Sequence, residues 1–197
     1  TTSAALLSAI CGRDAEDTVG RGGGINNKSF ARKKEIVNAA SLRYRNRGGI
    51  QMIADELDMD EKAACMVRAL AEMGGFDICA MTGAFIGAAK NRMPVVIDGY
   101  ISSVAALAAY VMGQECADYM IASHKAYEKG YTIAIDILGL KPVLALDMRL
   151  GEGSGCPVAF RIIKGACDVM ADMATFEEAA INDEYLAEIR AEKEYQK

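Results

Sequence analysis

The 197-residue sequence has no tryptophan, one histidine and three prolines, and only 7% of its residues are aromatic. Its six cysteines include no CxxC pair, so with a single histidine they exclude the usual zinc-binding patterns. The low aromatic content argues against a sandwich of aromatic-rich strands. What is present, 52% hydrophobic residues with 19 glycines and 11 methionines, is typical of a tightly packed α or α/β protein.

The sequence also lacks a concentration of positive charge. Its formal net charge is −5, and its basic residues cluster only in two short stretches, 32–34 and 43–47. Because nucleic-acid binding needs clustered Lys and Arg to neutralise phosphates, we expect no nucleic-acid partner. No apolar run reaches the roughly 18 to 20 residues of a membrane span, so we expect no membrane partner. Dispersed cysteines of this kind indicate reduced thiols and a cytoplasmic protein.

Helical patterns dominate the first part of the chain, and an alternating pattern follows. Helices are predicted over 1–12, 29–44 and 59–75, the last with Asp60 as its cap. After that, apolar runs at 76–81, 94–100, 118–124 and 142–148 alternate with helical segments. Apolar strands that alternate with helices indicate a parallel sheet covered on both faces. We therefore predict an α/β fold over 1–174, a Rossmann-like doubly wound parallel sheet with helices on both faces, followed by a charged C-terminal helical segment over 175–197.

The first predicted helix begins at the first residue of the sequence. The stretch TTSAALLSAICG, residues 1–12, has cap residues at its start and a glycine stop at its end. We therefore expect the chain to be a fragment, a cleaved product or one piece of a split protein.

Small or polar residues follow each of the four predicted strands. In open parallel sheets, ligands bind outside the carboxyl ends of the strands, so these residues are candidates for a binding rim. They are Thr82 and Gly83, Asp98 and Gly99, Ser123 and His124, and the loop MRLGEGSGCP at 148–157, which contains Leu150, Gly151, Glu152 and Gly153.

Each candidate has a simpler structural interpretation. Asp98 with Gly99 could be an ordinary turn pair, and Ser123 could cap a helix beside a buried histidine. The loop glycines could turn the chain before a helix that Pro157 opens. The loop matches neither GxGxxG nor GxxxxGK[ST], which disfavours an NAD-dependent dehydrogenase and a nucleoside-triphosphate site. Glu152 favours a ligand-binding or catalytic role for the loop, because a turn gains nothing from a carboxylate between glycines. The neighbouring backbone amides would suit a phosphomonoester.

Several blocks together resemble one enzyme family, the nicotinate-nucleotide:dimethylbenzimidazole phosphoribosyltransferases. The blocks are GGFDICAMTGAFIGAA, PVVIDGYISSVAALAA, DYMIASHKAYEKG and MRLGEGSG, preceded by VGRGGG and ARKKEIV. The resemblance runs from residue 1 to about residue 181. It implies a Rossmann-like large domain, a smaller helical domain formed from both chain termini, and a homodimer. It also implies transfer of phosphoribosyl from nicotinate mononucleotide to a benzimidazole nitrogen, with no metal or cofactor.

The resemblance also implies roles for individual residues. Glu152 would be the general base, which removes the proton from the attacking base. Lys33 would contact the phosphate or ribose. The alternative is that Lys33, in the stretch ARKK, is simply a solvated charge on a helix. The remaining candidates would bind substrate: Thr82, Gly83, Asp98 and Gly99 at the nucleotide site, and Ser123, His124, Leu150, Gly151 and Gly153 around the phosphoribosyl group.

The family's N-terminal half is absent from this sequence. The resemblance implies that this half supplies much of the benzimidazole pocket, so we expect it as a second chain or cleaved piece. The alternative is a non-catalytic nucleotide- or base-binding fragment, or a split subunit, that keeps the rim without the chemistry.

Overall fold

The structure is a computed structural model, and it describes residues 1–49, 51–53 and 56–182. The chain divides into two compact units, Thr1–Ala159 and Phe160–Lys197. The predicted boundary after residue 174 falls within the second unit.

The described residues form helices and two short strands. In chain order they are α1 Thr2–Cys11, α2 Ala15–Thr18, α3 Asn27–Asn46, α4 Met59–Ala69, a π-helical turn Leu70–Gly74, α5 Gly75–Lys90, β1 Val95–Ile97, α6 Tyr100–Met112, a 3₁₀ helix Gln114–Tyr119, β2 Met120–Ala122, α7 Lys129–Ile137 and α8 Gly155–Asp172.

The helix boundaries follow from capping chemistry. In α1, Gly12 adopts the left-handed conformation that ends the helix, as the sequence predicts. The predicted cap of α4 was wrong by two residues. Asp58 is the N-cap, because its side chain accepts the Glu61 amide while the Glu61 side chain accepts the Asp58 amide. This reciprocal capping box places Asp60 inside the first turn.

The core of the first unit is built around α6. Residues Val104 to Ala109 are all fully buried, and the helix packs against α1, α4, α5 and α7. A helix that is apolar on every side is stable only when other elements surround it. The alanines let those neighbours approach closely, so α6 and the strand that precedes it have a fixed position in the fold.

The two strands form a parallel pair. Val95, Val96 and Ile97 of β1 lie opposite Met120, Ile121 and Ala122 of β2. The predicted fourth strand is represented by a parallel bridge between His124 and Leu144, where the Val143 amide donates to Ala122 O and the Leu144 amide donates to Ser123 O. The α/β fold with a parallel sheet is therefore confirmed, with shorter strands than predicted.

The prediction of a strand over 76–81 was wrong. Residues 76–81 belong to α5, and Ile78, Thr82 and Phe85 are buried at the i, i+4, i+7 spacing of one helix face. A short apolar run fits a buried helix as well as a buried strand, and here the helical pattern continues to Lys90. Thr82 and Gly83 therefore lie within a helix and do not follow a strand.

Helices α4 and α5, with the π-helical turn between them, form one apolar stretch. By length and composition alone, Met59–Lys90 is long and apolar enough to cross a membrane, although core helices of soluble proteins have the same properties. Leu70, Ile78 and Phe85 are buried in the core of the first unit. The left-handed Gly75 (φ 72°) breaks the regular backbone between the π-helical turn and the rest of α5. Other apolar side chains of the pair, Val67 and Phe76, are exposed.

The second unit continues α8 to Asp172 and then forms one turn. Thr175 and Glu178 cap this turn reciprocally, since the Thr175 amide donates to the Glu178 carboxylate and the Glu178 amide donates to Thr175 Oγ1. Ala180 ends it with φ 53°. Of the predicted C-terminal helical segment, residues 183–197 lie outside the described residues.

We predict that Thr82→Val lowers the free energy of unfolding by about 1 kcal/mol. The Thr82 hydroxyl lies 2.9 Å from Ile78 O and 3.3 Å from Ala105 O, so it links α5 to α6, and a buried hydrogen bond of this kind is worth roughly 0.5–1.5 kcal/mol. Urea denaturation of the chain measures the change. The matched control is Thr132→Val, at an exposed position of α7, which should change stability by less than about 0.5 kcal/mol. Equal effects at both positions would contradict the link.

Candidate functional site

Asp98 stands at the carboxyl end of β1 and binds the glycine-rich loop. Its Oδ2 accepts the Gly153 amide at 3.0 Å, and its Oδ1 accepts the Gly155 amide at 2.8 Å. The Asp98 amide in turn donates to Ser102 Oγ in the first turn of α6. Asp98 is buried, so these N–H groups provide the hydrogen bonds that a buried carboxylate requires.

The loop itself contains three consecutive residues in the left-handed region. Their φ angles are 75° at Gly151, 56° at Glu152 and 79° at Gly153. Glycine adopts this conformation without steric cost, whereas a glutamate does so only when its surroundings hold it. The Ser154 amide closes a turn onto Gly151 O. The Glu152 side chain is exposed, so the loop presents a carboxylate at the strand ends.

The two hydrogen bonds from the Gly153 and Gly155 amides to Asp98 form a clamp between the loop and β1. Ser123 and His124 follow directly after β2, beside this clamp. His124 is 2% exposed, and its Nδ1 lies 2.9 Å from Ser123 Oγ and 3.8 Å from Asp98 Oδ1. The ring packs against Gly155, where an added Cβ would overlap Nδ1. The histidine therefore supports both Asp98 and the start of α8.

Two further side chains close the buried side of the site. Tyr131 of α7 donates its hydroxyl to His124 O at 2.5 Å. Burial, and secondarily the charge of Asp98, raise the pKa of Tyr131 to about 12, so this hydroxyl stays a donor at neutral pH. The pKa of Cys156 is also raised, first by burial and then by Asp98, and its thiol donates to Val96 O.

The other predicted site residues have different surroundings. Thr82 bonds to Ile78 O and Ala105 O, and Gly83 is exposed on α5. Lys33 donates to Gly20 O at 2.8 Å, at the start of the glycine-rich stretch 20–24. Gly99 is the N-cap of α6, and its carbonyl accepts from the Ser103 amide.

The exposed side of the loop carries an arginine stacked on an aromatic ring. The Arg149 guanidinium lies 4.4 Å from the ring centroid of Tyr127. Leu150, the next residue, is 73% exposed. The loop after β2 and the loop before α8 therefore meet at this rim.

The structure brings together Asp98, Ser123, His124 and Gly153, as the sequence predicts for residues at neighbouring strand ends. Sequence reasoning missed Ser102 and Tyr131, and it included Gly155 only as part of the loop 148–157. The position of Gly155, two residues after Gly153, was visible in the loop, but its need to admit the His124 ring was not. Tyr131 and Ser102 gave no signal in the sequence.

The fold and this site define a parallel α/β protein with a carboxylate-bearing glycine loop at the strand ends. A family model described as phosphoribosyltransferase matches residues 1–181. The chain belongs to the nicotinate-nucleotide–dimethylbenzimidazole phosphoribosyltransferase family.

Individual relatives agree with this assignment. Nicotinate-nucleotide–dimethylbenzimidazole phosphoribosyltransferase from Clostridium perfringens (strain ATCC 13124) is 46% identical over 195 residues, which cover 99% of this chain and 50% of that protein. The Clostridium tetani protein of the same name is 42% identical over 191 residues, 96% of this chain and 48% of that protein. The crystal structure of CobT from Thermus thermophilus matches with a TM-score of 0.77 and 30% identity, over 92% of this chain and 50% of that one. The chain thus spans about half the length of these relatives.

We predict that Gly155→Ala destabilises the chain by about 1–3 kcal/mol, the usual cost of overpacking. The added methyl group would overlap His124 Nδ1 and force the ring away from Asp98. Thermal and urea unfolding measure the loss.

The matched control is Gly165→Ala, in the same helix. An added Cβ there meets no atom within 4 Å, so this change should stabilise the helix by up to about 1 kcal/mol. A Gly155→Ala variant as stable as the parent would contradict the close packing of His124 on the loop.

Proposed function

We propose that this chain is the catalytic part of a phosphoribosyltransferase. Combined with the polypeptide that corresponds to the relatives' N-terminal half, it transfers phosphoribosyl from nicotinate mononucleotide to 5,6-dimethylbenzimidazole or a related base. The products are α-ribazole 5′-phosphate and nicotinate. The observation that carries the proposal is Glu152, an exposed carboxylate in a left-handed loop at the strand ends. The chain that bears it is 46% identical to a nicotinate-nucleotide–dimethylbenzimidazole phosphoribosyltransferase.

The proposed chemistry requires one base and accurate positioning. A benzimidazole nitrogen attacks C1′ of the substrate, and the bond from C1′ to the nicotinate ring nitrogen breaks with inversion. The ring nitrogen keeps the electron pair and loses its positive charge, which makes nicotinate a good leaving group. The attacking base becomes cationic unless its other N–H proton is removed, and Glu152 accepts that proton. General-base assistance of this kind is typically worth about 10²- to 10⁴-fold in rate.

Other residues of the chain supply the phosphoribosyl side of the proposed site. Lys33 has an ammonium group suited to the phosphate, and its present hydrogen bond to Gly20 O could be exchanged for one to a ligand. The amides of Leu150 and Gly151 precede Glu152 on the same loop. These groups bind substrate, and Glu152 performs the proton transfer.

The proposed assembly is a homodimer of complete units in the cytoplasm. All six cysteines are free, which is typical of a reducing compartment. In this assembly, the polypeptide that corresponds to the relatives' N-terminal half would supply the wall of the benzimidazole pocket that faces Glu152. Analytical ultracentrifugation of the chain with that half tests the stoichiometry, and a stable one-to-one complex that does not dimerise would contradict this assembly.

We predict that Glu152→Gln lowers kcat for α-ribazole phosphate formation by about 10²- to 10⁴-fold. The amide keeps the size of the side chain but cannot accept a proton. The measurement is product formation by the chain combined with the complementary half. Glu115→Gln, at an exposed position of the first unit, is the control and should keep full activity.

Two outcomes would contradict the proposal in different ways. Near-parental turnover of Glu152→Gln would remove its role as general base. A combined protein that binds nicotinate mononucleotide in calorimetry but never releases nicotinate would favour the non-catalytic binding fragment.

A further inference from the structure

Glu152 has a left-handed backbone conformation (φ 56°), which a non-glycine residue adopts only at a cost in free energy. Glycines on both sides remove that cost at Gly151 and Gly153 but not at Glu152 itself. A strained residue persists only when its surroundings fix it. The contacts next to Glu152 therefore decide where its carboxylate points.

Asp98 makes the contacts that brace the loop directly after Glu152. One oxygen accepts the amide of Gly153, the next residue, and the other accepts the amide of Gly155, the first residue of α8. These hydrogen bonds tie the loop to the end of β1. Charge-assisted bonds of this kind are stronger than neutral ones, and a carboxylate at a helix N-terminus also gains from the helix dipole.

The position of Asp98 is itself fixed by the core. Its amide donates to Ser102 Oγ, and Ser102 Oγ also lies 3.0 Å from Gly99 O. On the other side, His124 Nδ1 lies 3.8 Å from Oδ1 and fills the space that Gly155 leaves. Asp98 thus connects the loop to the end of β1 and to the first turn of α6.

Both carboxylate oxygens of Asp98 already accept protein amides, and the carboxylate neutralises the N-terminus of α8. A substrate phosphate placed at this helix end would meet a negative charge and two occupied N–H groups. The helix start is therefore poorly suited to hold the phosphate, although its glycines resemble a phosphate loop.

We propose that Asp98 is a positioning residue for Glu152 and not a ligand of the substrate. The catalytic part of this proposal rests on the proposed function, in which Glu152 is the general base. Its structural part is that Asp98 holds the Glu152 loop in the left-handed conformation, with His124 and Ser123 as the buried support. The substrate phosphate then binds at groups other than the Gly153 and Gly155 amides.

The test uses Asp98→Asn in the chain combined with the complementary half. Asparagine offers one acceptor oxygen and turns an NH₂ group toward the second amide, so the clamp loses one side. We expect kcat to fall by about 10²-fold, the size of effect that a misplacement of about 1 Å produces, while KM for nicotinate mononucleotide stays within twofold. A KM increase of tenfold or more with kcat retained would identify Asp98 as a substrate ligand and overturn the proposal.

The double variant Asp98→Asn/Glu152→Gln separates positioning from a direct role. If Asp98 acts through Glu152, the double variant is no slower than Glu152→Gln alone, because residues that act as a unit are not additive. Losses that multiply would overturn the proposal.

Gly151→Ala disturbs the same backbone without touching Asp98. Gly151 has φ 75° with no atom within 4 Å of an added Cβ, so the effect is conformational strain. It should lower kcat, and kcat is the readout here because the Gly151 amide is also one of the groups proposed to bind substrate. Gly139→Ala is the matched control, since Gly139 has φ 68° and equal space but lies in a different loop, and its kcat should equal that of the parent. Equal kcat in both alanine variants would contradict the importance of the loop conformation.

Amide hydrogen exchange tests the clamp independently of catalysis. In Asp98→Asn we expect exchange at Gly153 or Gly155 to accelerate at least tenfold, with exchange in the centre of α6 unchanged. Unchanged exchange at both glycines would overturn the clamp even if Glu152 is the base. If Glu152→Gln keeps the parental turnover while Asp98→Asn accelerates amide exchange at Gly153 or Gly155, Glu152 is not the general base, but the role of Asp98 in holding the loop is supported.

Discussion

One carboxylate joins the separate elements of the site. Asp98 accepts two amides from residues 55 and 57 positions later in the chain, and each side of this interaction needs the other. A buried carboxylate is unstable without N–H donors, and the first amides of a helix lack partners within the helix. The end of β1, the glycine loop and the start of α8 therefore have one joint arrangement. His124 and Gly155 fit around it, since the imidazole occupies the space where a larger residue at 155 would put its side chain.

The rigidity of this arrangement comes from the alanine-rich core. Helix α6 is buried on every side between residues Ser103 and Ala109, and it begins two residues after Asp98. Ser102 and Ser103 bond back to the preceding turn, which fixes the first turn of the helix on the strand. The sheet is small in the described part of the chain, so most of the support at the strand ends comes from α6 and α7. Tyr131 reaches from α7 to the backbone of His124.

The parts of this fold that sequence reasoning predicted are those with local causes. The strands at 95–97 and 120–122 are short apolar runs, and α1 has cap residues at its start and a glycine stop at its end. The run at 76–81 misled because its apolar residues fit either period. In the structure it is part of α5, which packs against α6, and the Thr82 hydroxyl bonds to Ala105 O across that contact. At the site, the placement of Asp98, Ser123 and His124 at one edge follows from topology. The bonds from Asp98 to Gly153 and Gly155 do not, because no sequence pattern records which amides a distant carboxylate will accept.

The loop also explains why a glutamate stands between glycines. If the segment served only to turn the chain into α8, glycine at position 152 would adopt φ 56° with less strain. The strained conformation makes Glu152 a candidate for function, an inference that runs from the observed conformation to a hypothesis of function. Glu152 is exposed, whereas Asp98 is buried. The two carboxylates of the site thus have opposite surroundings, since Asp98 is buried and accepts two amides and Glu152 is exposed.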